Sequence, residues 1–76
     1  MDRVTIYLRT VLFSYGGTDH LPAGVMIIDG HLAERDAASV RVEADTLRDE
    51  RGRTLLDETL TLIVPWEKID HMLVIA

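Results

Sequence analysis

Leu60-Thr61-Leu62-Ile63-Val64-Pro65-Trp66-Glu67-Lys68-Ile69-Asp70-His71-Met72-Leu73-Val74-Ile75 reads as strand, corner, strand. Leu60, Leu62 and Val64 alternate with Thr61 and Ile63, the period of two expected of a β-strand. Pro65 has no N–H to give a ladder and fixes φ, so the first strand should stop there. Trp66 to Ile69 is just long enough for one 3₁₀ turn. Met72 to Ile75 then supplies a second apolar strand.

Working back towards the N-terminus, the same period recurs. Val4, Ile6 and Leu8 alternate with Thr5, Tyr7 and Arg9, which predicts a half-buried strand. Val11 and Phe13 take the opposite parity, so either a bulge near Thr10 or a strand end covered on both faces follows. Ser14–Pro22, with Gly16-Gly17 as breaker, is the longest loop and the best-placed segment for a function carried by a loop. Val25-Met26-Ile27-Ile28 is apolar on both faces, as in a central strand or an interface. Asp29-Gly30 fits a hairpin turn or a bend within one long strand. The bend is preferred, because Asp36-Ala37-Ala38-Ser39 makes a better turn a few residues on.

Residues 33–47 carry two patterns. As a helix, Ala33, Ala37, Val40, Ala44 and Leu47 share a face; as a strand, Val40, Val42 and Ala44 alternate with Arg41, Glu43 and Asp45. The helical stripe is mostly alanine and leaves Val42 among charges, so the strand is expected. Arg48–Arg53, with Gly52, reads as a charged hairpin tip, and a fourth strand is expected over Thr54–Val64. Five strands with short turns and a one-turn corner before the last predict an all-β fold, a small five-stranded barrel occupying residues 1–76 as one domain.

Composition narrows the function. A chain of 76 residues buries only ~60% of its unfolded surface, and no cysteine is present to staple it. Self-association is the supplement left to it. Thirteen acidic residues against eight basic give a net charge of −5, which opposes binding to a phosphate backbone. No apolar run approaches the ~20 residues that span a bilayer. The start Met1-Asp2-Arg3, leading straight into an alternating strand, lacks the shape of a signal peptide, and a cytoplasmic location is expected.

Gly24-Val25-Met26-Ile27-Ile28-Asp29-Gly30-His31-Leu32 has a glycine, alternating apolars, an aspartate and a further apolar residue. Together with the Val64–Met72 corner it resembles the SH3-like small barrels, and among them is similar to the Sm-like family, over about two-thirds of the chain. The resemblance implies the barrel fold and, as a second functional expectation, single-stranded RNA binding. The departures fall on the RNA site. Ala33 stands where that family has a base-holding asparagine, Trp66-Glu67-Lys68 replaces its basic residue and glycine, and Ser14–Pro22 replaces a tighter turn.

No nucleophile–base set is suggested by the serines and threonines, so no enzyme is expected. Each histidine lies near an aspartate, in Asp19-His20, Asp29-Gly30-His31 and Asp70-His71, but the spacing matches no metal-ligand pattern, and neither metal nor cofactor is expected. Trp66, the only tryptophan, either packs over one end of the barrel or anchors an interface, and Tyr15 in the long loop has the same two readings. The leading expectation is a protein-interaction or assembly module. It would self-associate through sheet edges, as a dimer, with Trp66, Met72, Val74 and Tyr15 at the interface.

Overall fold

The computed structural model describes residues 2–12 and 21–75, so Tyr15 and most of the Ser14–Pro22 loop lie outside the described residues. Six strands follow in order: β1 (Arg3–Leu8), β2 (Ile27–Arg35), β3 (Ser39–Arg48), β4 (Thr54–Leu56), β5 (Leu60–Pro65) and β6 (Ile69–Ile75), with a 3₁₀ turn at Trp66–Lys68. They form one antiparallel sheet in the order β4-β3-β2-β1-β6, with β5 also on β3. The sheet is all-β as expected, but it has six strands rather than five. It is also open: β5 pairs only with β3 and β6 only with β1 among the described residues.

The alternation in β1 is obeyed residue by residue. Val4, Ile6 and Leu8 are buried, while Thr5 and Tyr7 are half-buried on the other face. β3 obeys it as far as Ala44, burying Val40, Val42 and Ala44. The parity then changes at the register shift, where Asp45 is the extra residue, and Leu47 is buried beyond it, which decides residues 40–47 for the sheet. Val25, Ile28, Val64 and Ile69 complete the main core. Every core side chain is apolar; among the described residues no polar side chain is buried.

Two turns and one bend set the chain's path. At Asp36, Oδ1 accepts from the Ala38 and Ser39 N–H groups at 2.8 and 2.9 Å, closing the β2–β3 hairpin where the sequence placed it. In the β3–β4 tip, Gly52 has φ 87 and donates to the Asp49 carbonyl oxygen at 3.0 Å, a conformation that suits glycine. Asp29-Gly30 is the expected bend inside a long strand: β2 runs through it, and the β2–β3 register shifts between Asp29 and Gly30. Here glycine answers a close approach, because a Cβ at Gly30 would meet the Glu43 carbonyl oxygen and lie 2.7 Å from Ala44 Cα.

The expected single strand Thr54–Val64 is corrected to two. β4 pairs with β3 at Leu47 and Arg48, and β5 pairs with it from Ser39 to Ala44. Both therefore lie on the same side of β3, with Asp45 and Thr46 between them. Asp57-Glu58-Thr59 leaves the ladder at that gap. The last strand is corrected as well: it begins at Ile69, not Met72.

Candidate functional site

β6 is the outermost strand beyond β1, and most of it is exposed. Leu73, Val74 and Ile75 are 50%, 49% and 54% exposed, unusually open for three consecutive large apolar residues. Among the described residues the other large apolar side chain this exposed is Ile63, at 67%, on β5. The cross-strand register explains why. Met72 and Val74 share the core face with Ile6 and Val4, while His71, Leu73 and Ile75 share the outer face with Tyr7, Thr5 and Arg3. Met72 packs partly against the core, whereas Val74, beyond it, leaves about half its surface in water.

On the outer face the His71 ring stacks on Tyr7, with centroids 4.4 Å apart and planes 11° from parallel. Neighbours on a strand start from opposite faces, yet the exposed Asp70 carboxylate curls round to lie 2.8 Å from His71 Nδ1. Further in, Asp29 is held by three hydrogen bonds. Arg48 donates to it from Nε at 2.7 Å and from Nη2 at 3.1 Å, and Thr5 Oγ1 donates at 2.9 Å. That aspartate is therefore occupied within the sheet.

Trp66 sits half-buried at the corner between β5 and β6. Its indole N–H donates to the Asp36 carbonyl oxygen at 2.7 Å, and its backbone N–H to the Ala38 carbonyl oxygen at 3.1 Å. The side chain thus ties the 3₁₀ turn to the β2–β3 hairpin while also packing on the core. Of the residues proposed for an interface, Met72 and Val74 come together on β6; Trp66 lies at the strand's preceding corner. Leu73 and Ile75 were not singled out from sequence. Their signal was the unbroken run Met72–Ile75, which places apolar side chains on both faces of one strand.

Three carboxyls are held below their ordinary value. Asp36 is held by the Ala38 and Ser39 N–H groups, Asp49 chiefly by the Arg53 N–H, and Asp45 chiefly by its hydrogen bond from Arg3. All three serve turns or cross-strand pairs, and Arg3, the partner of Asp45, stands opposite Ile75 of β6. A cavity of about 560 Å³ opens beside the β3–β4 tip, with Val11, Met26 and Leu55 among its lining and Asp49, Glu50, Arg51 and Arg53 at its charged side. Asp49 is paired with Arg53 there at 3.0 Å, and the four formal charges sum to zero. Among the described residues no group of three or more His, Cys, Asp or Glu could hold a metal ion, and no helix is long and apolar enough to cross a membrane.

Ala33 falls at the register shift between Leu32 and Glu34. No protein-family model, no curated protein and no solved structure matches the chain.

Proposed function

We propose that this protein is a small non-catalytic assembly module that works by self-association through an exposed sheet edge, as a dimer. The observation that carries the reading is the triplet Leu73, Val74 and Ile75, half in water on an end strand of an open sheet. An edge of this kind is a template for another strand, and an apolar one gains from being covered. The same reading takes the fold as an SH3-like small barrel, since the Trp66–Lys68 turn carries the chain from the strand beside β3 to the strand beside β1, as a curled sheet requires.

Magnitudes favour a weak dimer. Burying a Leu, Val or Ile fully is worth about 1.5–3 kcal/mol, so three half-exposed side chains on each of two chains recover roughly 5–9 kcal/mol. Backbone hydrogen bonds add about 0.5–1.5 kcal/mol each. Association costs roughly 4–15 kcal/mol against this. Gain and cost are of the same order, so the dimer is expected to be weak, and micromolar to millimolar is the concentration range to search. Light scattering over that range should show 8.6 kDa rising to twice that mass. A constant 8.6 kDa at every concentration would remove the proposal. Binding of single-stranded RNA at sub-micromolar affinity at low salt would replace it with the other expectation, against the net charge of −5.

A further inference from the structure

The two long end strands are not equal as docking edges. β5 is guarded: Asp57-Glu58 precede it and Pro65, which has no N–H, closes it. β4 is only three residues long. β6 carries no proline and no lysine, and after Asp70 and His71 it is wholly apolar through Ile75. Among the described residues β6 is thus the edge without protection.

Which of its backbone groups face outward can be worked out. Leu8 N–H donates to the Met26 carbonyl oxygen at 2.9 Å and Leu32 N–H to the Asp2 carbonyl oxygen at 2.8 Å. Both bonds are in phase with Val4↔Gly30 and Ile6↔Ile28, so the even-numbered residues of β1 turn their N–H and C=O towards β2. Arg3, Thr5 and Tyr7 then turn theirs towards β6, where they oppose Ile75, Leu73 and His71. Those three residues of β6 are committed to β1. The N–H and C=O groups of Met72 and Val74 point away from the sheet, and among the described residues no strand pairs with them.

We infer that a second copy of this chain docks on that edge, β6 against β6, antiparallel about a two-fold axis through Leu73. This rests on the self-association proposed above and names its surface. A two-fold axis normal to a continuous sheet pairs residues of equal parity, because side chains directly opposite share a face. Centring on Leu73 places Leu73 beside Leu73 of the second copy on the outer face and His71 opposite Ile75. Met72 and Val74 then exchange their outward hydrogen bonds, four in all across the axis. The two Asp70 carboxylates end six residue rises apart, about 20 Å, beyond a Debye length at physiological salt. Moving the axis to Asp70 or His71 would set Asp70 opposite or near its own copy, where like charges oppose pairing.

Val74→Pro tests this, because it deletes an outward N–H and leaves the β1 ladder whole. The parent chain should dimerise, with Met72 and Val74 amides exchanging quickly at low concentration and becoming protected as dimer forms. Val74→Pro should keep its β-sheet spectrum and bind its copy at least tenfold more weakly. If Val74→Pro does not fold, Leu73→Lys replaces it, setting two ammonium groups face to face on the outer surface. A parent that dimerises while the folded variant dimerises equally well overturns the β6 pairing and leaves self-association standing. A parent that stays monomeric overturns both. Protection of Met72 and Val74 only on adding an unrelated extended peptide would overturn the choice of a second copy.

Discussion

Gly30→Ala is the smallest change that should do the most damage. The added Cβ would run into the Glu43 carbonyl oxygen and sit 2.7 Å from Ala44 Cα and 2.9 Å from the Glu43 carbonyl carbon. All three atoms are backbone, so no rotamer can relieve the contact; β3 itself must move by several tenths of an ångström. That strand holds β2 on one side and both β4 and β5 on the other, so the shift is felt by most of the sheet. Overpacking costs about 1–3 kcal/mol, and rigid neighbours put this case near the top of that range. The reduced freedom of the unfolded chain returns about 0.4–1 kcal/mol, leaving a net loss of about 2–3 kcal/mol. For a domain this small that lowers the melting temperature by about 10–20 °C. Gly52→Ala is the control. Its φ of +87 makes alanine strained, but the nearest atom is Arg48 Nη1 at 3.8 Å, so only the backbone term of roughly 1–2 kcal/mol applies. Thermal melts followed by circular dichroism would compare them. Gly30→Ala melting within about 3 °C of the parent, or above Gly52→Ala, would refute the close approach of β2 and β3.

Val42→Lys should cost several kcal/mol, because it puts an ammonium where the side chain is fully buried. Glu43→Lys loses one hydrogen bond from Thr61 Oγ1 on the exposed face and should stay within about 1 kcal/mol of the parent, as urea melts of the two variants would show. Stability should fall on acidification. Asp36, Asp45 and Asp49 have folded values held below their ordinary value of about 3.8, so their contribution is present above that value and is lost as pH drops through the folded ones. Melting temperatures taken between about pH 5 and pH 2 should decline, and a flat profile would mean that these carboxyls are not held as described.

Much of this fold was readable because burial on one face leaves a period-two record. β1, and β3 as far as Ala44, bury their alternate residues, so that Val42, stranded by a helical reading, is at 0% exposure. The bend at Asp29-Gly30 was readable because glycine inside a strand pattern marks a close approach or a bulge. The division of Thr54–Val64 was not. Leu55, Leu56, Leu60 and Leu62 all pack at the margin of the core, and nothing local announces that the partner strand leaves Asp45 and Thr46 free of that side. The start of β6 was hidden for a related reason. Asp70 and His71 are polar, yet an end strand held by backbone bonds on one side does not require apolar residues there. The candidate surface is half legible: the terminal apolar run points to Met72 and Val74, but the exposure of Leu73 and Ile75 depends on β6 having no strand beyond it among the described residues.

The corner at Trp66 links these two matters. With its indole N–H on the Asp36 carbonyl and its backbone N–H on the Ala38 carbonyl, Trp66 fastens the exit of β5 to the β2–β3 hairpin. From there the chain turns once and reaches the far side of the sheet, where β6 joins β1 rather than β5. The choice of β1 determines the ladder phase, and the phase determines that Met72 and Val74, not Leu73, present their amides outward. Polar edge groups are ordinarily satisfied by water, so the backbone alone would not draw a second chain. It is the coincidence of outward amides with half-exposed apolar side chains on the same short run that makes covering this edge favourable.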